Sequence, residues 1–206
     1  MRGLVLEGVE RVVFRNDLPD PVIEHPDDVI ISVLRAGICG SDLHQFHGRE
    51  LVGAETIPGH EFVGDVVEIG RNVTRFQVGD RIFSPFTTSC GDCFYCSHGL
   101  SARCDSSQVF GYLPPHGVAD IGRGLQGAQA ELVRVPLADT TLVKLPSTIS
   151  VEEAMLLGDN FATGFFCADQ GQIQSDGVTV VLGCGSVGLS TIVAARYLGA
   201  ETVIAV

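Results

Sequence analysis

Four cysteines are clustered in one short stretch of the chain, at Cys90, Cys93, Cys96 and Cys104. Zinc prefers four soft ligands in a tetrahedron, and spacings this short allow one loop to supply all of them. Metal binding would then replace the hydrophobic core that such a loop lacks. A disulfide pair or four unrelated reduced thiols are the alternatives, and the clustered spacing favours zinc. We therefore predict a closed, structural zinc site.

A second set of possible ligands consists of Cys39 and of His60, which Glu61 follows directly. A lone cysteine is usually a small buried hydrophobe, and a lone histidine is more often structural than a ligand. In this chain, however, Cys39 follows a β-rich segment and His60 directly precedes another one. Because loops at strand ends commonly carry binding sites, we expect a second site that is open to substrate.

A glycine-rich turn follows the apolar segment 178–182 and precedes an expected helix from about residue 187 to residue 198. This is the setting of a dinucleotide-binding fingerprint. The glycines permit a tight turn, and backbone N–H groups at the helix N-terminus then meet the pyrophosphate. A generic strand-to-helix turn is the alternative. The residues predicted to bind the cofactor are Gly183, Gly185, Ser186, Val187 and Gly188.

The elements that must position the two ligand sets are short and β-rich. Apolar segments separated by Gly-Asp and Pro residues favour a β-barrel-like domain over a helical bundle. The stretches 40–57 and 84–128 show little periodicity and are predicted to be loops. The predicted strands are 28–34, 61–69, 80–83, 130–135 and 142–145.

The pattern changes at Ser150, which forms a capping box with Glu153 at the start of a helix. A strand, the helix after the glycine turn and a strand at 202–206 then begin a parallel sheet. We therefore predict two domains, 1–150 and 151–206. Because a two-stranded parallel sheet cannot bury both of its faces, we expect the second domain to be incomplete.

Composition limits the partners and the compartment. Thirteen Lys and Arg residues against 25 Asp and Glu residues give a net charge of −12. Such a surface repels nucleic acid and anionic lipid, so neither is an expected partner. No apolar run approaches the ~20 residues that span a bilayer, and the N-terminal segment lacks a secretory signal pattern. We therefore expect a cytoplasmic protein, where cysteines favour metal binding over disulfides.

Taken together, the motifs resemble those of zinc-dependent medium-chain alcohol dehydrogenases. Gly37-x-Cys39-Gly-Ser-Asp-x-His44, Gly59-His-Glu-x-x-Gly64, the four-cysteine loop and the glycine turn occur in the order found in that family. The resemblance covers essentially the whole chain. It implies a β-rich chaperonin-10 (GroES)-like catalytic domain and an incomplete α/β Rossmann-type nucleotide-binding domain. It also implies a catalytic and a structural Zn²⁺ in each chain, with NAD or NADP as the cosubstrate.

The same resemblance assigns the ligands of the catalytic zinc. Cys39 and His60 match the first two ligand positions. The third is a cysteine in many members, whereas this chain has Asp159, as do related branches that include bacterial secondary alcohol dehydrogenases and formaldehyde dehydrogenases. A carboxylate oxygen is an acceptable zinc ligand; alternatively, Asp159 only favours the dipole of the helix in which it lies. Glu61 resembles a nearby carboxylate that can approach the metal during ligand exchange.

A proton path is implied as well. Ser41 would take the proton of the alcohol, and His44 would pass it to solvent through the cofactor ribose. A hydroxyl both donates and accepts, and imidazole titrates near neutrality; alternatively, Ser41 only caps its turn. Asp42 resembles the carboxylate that orients the ligand histidine. Thr163 matches a position near the nicotinamide.

The expected function is the reversible oxidation of a small alcohol to an aldehyde or ketone, with hydride transfer to NAD(P)⁺. The alternatives are a formaldehyde or polyol dehydrogenase of the same family, or a non-catalytic zinc-stabilised domain. The acidic residue that binds the adenosine ribose is expected about 20 residues beyond the glycines, so these residues do not separate NAD from NADP. A full-length homodimer or homotetramer is expected from the resemblance.

Overall fold

A computed structural model describes residues 1–115 and 123–206 of the chain. The chain divides into two compact units, Met1–Met155 and Leu156–Val206. Among the described residues, no helix is both long enough and apolar enough to cross a membrane.

Short strands dominate the first two thirds of the chain, and helices become longer in the last third. In chain order, the elements are β1 (Gly3–Gly8), β2 (Arg11–Arg15), β3 (Val29–Ala36), α1 (Gly40–Phe46), β4 (Phe62–Ile69), β5 (Arg81–Ser84), α2 (Phe94–Ser97), a 3₁₀ turn (Ser101–Arg103), β6 (Gln108–Phe110), β7 (Arg123–Leu125), β8 (Leu132–Val135), α3 (Ala138–Thr141), β9 (Val143–Lys144), α4 (Val151–Leu156), a π-helical turn (Leu157–Phe161), α5 (Ala162–Gln170), β10 (Val178–Val181), α6 (Ser186–Tyr197) and β11 (Thr202–Ala205).

The first unit is built on an antiparallel sheet with the strand order β8-β3-β4-β5-β9. Strands β3 and β4 are its longest pair, and Ala36 lies opposite Phe62 at one end of that pair. The register shifts twice along the pair, between Ile30 and Ile31 and between Val33 and Arg35. Such irregularities bend and twist a strand and disrupt the pairing locally, and here the pairing resumes after each one.

Apolar side chains from this sheet and from neighbouring segments of the first unit meet in one core. Three successive residues of β3, Val29, Ile30 and Ile31, are buried, and Val29 and Ile31 belong to this core. Phe62 packs edge-on against Phe110, with 5.2 Å between the ring centroids. The buried members of this core are Val29, Ile31, Phe62, Val66, Phe76, Ile82, Phe110, Leu125, Ala128, Val133, Val135, Ala138 and Leu142.

The second unit contains a parallel strand pair and two helices. Strands β10 and β11 pair in parallel, and Val178 lies opposite Thr202. Helices α5 and α6 pack through small residues such as Ala168 and Ala194. At Gly164 a Cβ would lie 2.7 Å from the backbone nitrogen of Thr191, so glycine allows the two helices to approach this closely.

The predicted strands and the capping box are found in the structure, with ends displaced by one or two residues. Ser150 donates its backbone N–H to the Glu153 carboxylate at 2.8 Å, and Glu153 returns a bond to the Ser150 hydroxyl at 3.2 Å. The loop prediction for 40–57 is wrong in part, because helix α1 lies inside that stretch. The loop prediction for 84–128 is wrong in the same way, because the stretch contains α2, β6 and β7.

Phe62→Ala should destabilise the first unit, because it empties a fully packed position at the start of β4. We expect a loss of about 3–5 kcal/mol in the free energy of unfolding, measured by denaturant titration of the circular dichroism signal. Phe14→Ala is the matched control, since Phe14 is 64% exposed and its loss should cost less than about 0.5 kcal/mol. Equal losses for the two variants would contradict this description of the core.

Candidate functional site

One group of possible metal ligands lies at the end of the β3–β4 pair. Cys39 stands between β3 and α1, while His60 and Glu61 directly precede β4. Beyond the last paired residues, the backbone N–H of Gly37 donates to the Glu61 carbonyl at 2.9 Å and extends the pairing towards Cys39. One ligand atom from each of Cys39, His60 and Glu61 lies within 4.8 Å of the others. We call these three residues the ligand cluster.

Helix α1 orients the histidine of the ligand cluster. Asp42 Oδ2 accepts the backbone N–H of Cys39 at 2.8 Å, and Asp42 Oδ1 lies 3.3 Å from Nδ1 of His60. On the other side of the ring, Ser41 Oγ lies 3.4 Å from Nε2. His60 and Asp42 are both buried. One carboxylate therefore fixes both the start of the helix and the ring of the histidine.

The donor set of the ligand cluster suits zinc. A thiol, an imidazole and a carboxylate are the ligand types that zinc binds in proteins. Glu61 is 5% exposed, and burying a carboxylate is costly unless a positive charge or hydrogen bonds compensate. Its side chain lies against Gly37, where a Cβ would overlap the carboxylate. A divalent cation among Cys39, His60 and Glu61 would be attracted by this carboxylate.

The two predicted relay residues, Ser41 and His44, lie on the same short helix. They are three positions apart, so they lie on neighbouring parts of the helix surface. Both residues are exposed, and Ser41 also approaches His60 as described above. The helix therefore carries one hydroxyl near the ligand cluster and one imidazole in contact with solvent.

The four predicted structural ligands also come together. Atoms from Cys90, Cys93, Cys96 and Cys104 lie within 4.8 Å of one another. The loop wraps its own backbone around the sulfurs, since Cys90 N–H donates to Cys104 Sγ at 3.3 Å and Cys93 N–H donates to Cys90 Sγ at 3.4 Å. All seven cysteines of the chain lie in its described part, and all are free thiols. Four thiols this close together suit a zinc ion.

The thiols of this loop differ strongly in acidity. Backbone N–H groups, first that of Cys96 and then that of Asp105, lower the pKa of the Cys93 thiol to about 6. A hydrogen bond with the Asp92 side chain is the main cause that raises the pKa of Cys90 to about 12. Cys93 is therefore the first of these two to supply the thiolate that a metal needs.

The predicted cofactor turn lies in the second unit. Gly183 has a φ of +94°, a conformation that favours glycine. At Gly188 a Cβ would overlap the Gly183 carbonyl, so only glycine lets the first turn of α6 lie this close to the turn that precedes it. Gly185 caps α6, and Ser186 and Val187 are its first residues. The turn therefore presents helix N-terminal N–H groups, which suit a pyrophosphate.

Asp159 and Thr163 also belong to the second unit. Asp159 lies in the π-helical turn Leu157–Phe161, a feature that is frequent at functional sites. The Thr163 hydroxyl donates to Asp159 Oδ1 at 3.0 Å. The sequence predicts Asp159 as a metal ligand and Thr163 as a residue near the nicotinamide. These two side chains are in direct contact.

Sequence reasoning missed one residue that touches the loops of the ligand cluster, Gln129. Its side-chain amide donates to the Gly37 carbonyl at 3.2 Å, although the two residues are 92 positions apart. A single glutamine next to a predicted strand carries no motif, so the sequence offered no signal for it.

Comparisons with known proteins find dehydrogenases as relatives of this chain. The family model described as the alcohol dehydrogenase GroES-like domain matches residues 25–147. A medium chain reductase/dehydrogenase from an Acremonium species is 45% identical over the whole chain, which covers 69% of that relative. A zinc-type alcohol dehydrogenase B from Aspergillus flavus is 39% identical over the whole chain, which spans 47% of its length.

A solved structure of an alcohol dehydrogenase also resembles this chain. An alcohol dehydrogenase from Thermus sp. ATN1 has a TM-score of 0.92 and 41% identity, and the match covers all of this chain and 57% of that one. The predicted fold class, GroES-like together with part of a Rossmann-type domain, is thereby confirmed. The chain spans between about half and two thirds of the lengths of these proteins.

Cys93→Ser should prevent the four-cysteine loop from holding a metal ion, because it removes one of the four converging thiols. We expect one metal ion fewer per chain by elemental analysis of the purified protein, together with a lower unfolding temperature. Cys167→Ser is the matched control, since Cys167 is an exposed thiol in the second unit. A Cys93→Ser protein with unchanged metal content would show that the loop is not a metal site.

Proposed function

Because this chain belongs to the zinc-dependent medium-chain alcohol dehydrogenase family, we propose that its protein interconverts an alcohol and an aldehyde or ketone by hydride transfer to or from NAD(P). One observation carries the proposal. The Cys39 thiol, the His60 imidazole and the Glu61 carboxylate converge within 4.8 Å, and the Ser41 hydroxyl lies 3.4 Å from the same imidazole. A hydroxyl beside the ligands is the kind of group that can take up the proton of an alcohol.

In this proposal, Cys39 and His60 hold the catalytic zinc. Asp42 lies beside Nδ1 of His60, which leaves Nε2 as the nitrogen that we expect to bind the metal. Asp159 is proposed as the third ligand because it matches the ligand position of related branches, and Glu61 as the carboxylate that approaches during ligand exchange. The four-cysteine loop holds the structural zinc.

The protein side chains then manage the proton. When bound, zinc supplies a Lewis acid that favours deprotonation of an alcohol, and the nicotinamide supplies a hydride acceptor. Oxidation of the alcohol removes one proton from its oxygen and one hydride from its carbon. Ser41 accepts the proton while giving up its own, which its hydroxyl can do in one arrangement. His44, exposed on the same helix, transfers the proton towards solvent.

The glycine turn supplies the cofactor site in this proposal. Gly183, Gly185 and Gly188 keep the backbone free of side chains where a pyrophosphate would approach the start of α6. Ser186 and Val187 present the first N–H groups of that helix, and Thr163 is proposed to lie near the nicotinamide.

The substrate class and the oligomeric state of the protein need experiments of their own. A formaldehyde or polyol dehydrogenase uses the same zinc chemistry, so a panel of alcohols, polyols and formaldehyde, assayed with NAD⁺ and with NADP⁺, separates these activities. A non-catalytic zinc-stabilised domain would bind one zinc per chain and turn over none of the panel. The proposed homodimer or homotetramer is tested by light scattering on the full-length protein.

Cys39→Ala should abolish turnover and leave one zinc per chain, because it removes a ligand of the catalytic metal without touching the four-cysteine loop. Elemental analysis and the alcohol panel measure the two effects on the same preparation. Cys167→Ala should retain both metals and full activity. Loss of both zinc ions from Cys39→Ala would refute the division into two independent sites.

Ser41→Ala should lower kcat by about 10²-fold or more, the range typical of a lost proton-transfer group, while zinc content stays unchanged. Steady-state kinetics with a fixed alcohol measures the effect, and Ser147→Ala, at another exposed serine, is the control. A kcat equal to that of the unmodified protein would assign Ser41 to capping the turn alone.

A further inference from the structure

We propose that Gln129 is a positioning residue that holds the Cys39 turn in register with the segment that carries His60. This inference rests on the proposed function, because it concerns how the ligand cluster is held. Gln129 lies between β7 and β8, on a segment far in sequence from both ligands. It has no ligand or relay role of its own.

Gln129 contacts both ligand-bearing segments at once. Its backbone N–H donates to the Pro58 carbonyl at 3.0 Å. Its side-chain amide donates to the Gly37 carbonyl at 3.2 Å. Between these two bonds the side chain crosses Gly59, where a Cβ would lie 2.6 Å from Gln129 Cγ. One residue thus bridges the backbone two positions before each of the two ligands.

The Gly37 peptide is fixed on both sides by this arrangement. Its N–H donates to the Glu61 carbonyl at 2.9 Å, and its carbonyl accepts the amide of Gln129. Cys39 follows two residues later, so rotation of the Gly37 peptide would move its thiol relative to His60. Because metal sites tolerate ligand displacements of only about 0.2 Å, a small rotation is enough to weaken binding.

A second glutamine allows a sharp comparison. Gln126 also holds the segment before His60, since its side-chain oxygen accepts the Ile57 N–H at 2.6 Å and its amide donates to the Glu55 carbonyl at 3.3 Å. Its bonds, unlike those of Gln129, both go to that one segment. If Gln129 acted only by anchoring residues 55–60, the two glutamines would be equivalent. If Gln129 instead fixes the position of Cys39 relative to His60, only substitution of Gln129 should weaken metal binding.

The test uses cobalt in place of zinc, because Co²⁺ absorbs visible light and reports its ligand geometry. Metal-free full-length protein is titrated with Co²⁺, and the four-thiolate site provides an internal reference with its own absorption bands. The variants are Gln129→Met, which keeps an unbranched chain over Gly59 but has no amide donor, and Gln126→Met as the matched control. Gln129→Glu is a second variant that replaces the donor with an acceptor of nearly the same size.

For Gln129→Met and Gln129→Glu we expect the dissociation constant of the second cobalt site to rise 10- to 100-fold and its absorption bands to shift. The four-thiolate bands should stay unchanged, which shows that the unit is folded, and Gln126→Met should match the unmodified protein. An unchanged second site in both Gln129 variants, or an equal loss in Gln126→Met, would overturn the inference while leaving the proposed function intact. Uptake of a single cobalt ion by the unmodified protein would overturn the proposed function, and this inference with it.

Discussion

The antiparallel register of β3 and β4 is the constraint on which the ligand cluster depends. Ala36 lies opposite Phe62, so the residues that leave β3 and those that enter β4 must be neighbours. Cys39 and His60 are separated in the chain by α1 and the loop that follows it. The paired strands nevertheless bring the two segments together, and no direct contact between the two side chains is needed for this. A slip of one residue would turn every side chain of a strand to the opposite face. The buried residues of the sheet, Phe62 among them, oppose such a slip because it would expose them to water.

Placing ligands at the end of a strand pair also resolves an electrostatic conflict. Asp42, His60 and Glu61 are all buried, and burial penalises charged groups that lack compensation. Had they stood in the middle of β3 or β4, the apolar core would have surrounded them. Beyond the end of β3 the backbone N–H of Cys39 donates to the Asp42 carboxylate, which offsets part of this cost. The same sheet that needs an apolar interior therefore accommodates this polar cluster where two of its central strands end.

Strands with a β-rich composition could be predicted from the sequence, including the four-residue β5 and β8, whereas helix α1 and the π-helical turn could not. Strands β3 and β4 have eight residues each, enough for β-rich composition to be visible. Helix α1 has seven residues, and it is held by the reciprocal contacts of Cys39 and Asp42 rather than by an amphipathic pattern. Helices this short are not stable through their own propensity, so only the tertiary contacts decide that the segment is helical. The π-helical turn around Asp159 is equally local, and composition carries no sign of it.

The site residues also differ in how well the sequence predicts them. The types and spacing of the four clustered cysteines alone predict metal binding, whereas Cys39 and His60 are assigned as ligands through the family resemblance. Gln129 acts through hydrogen bonds to backbone atoms, and a backbone carbonyl has no residue type that a sequence pattern could pair with it. Such a contact needs a side-chain donor that is long enough to reach the carbonyl. It also needs a glycine, in this case Gly59, because a Cβ there would collide with the Gln129 side chain. The residues that perform chemistry are therefore more predictable than the residues that fix their geometry, although a metal site depends on both.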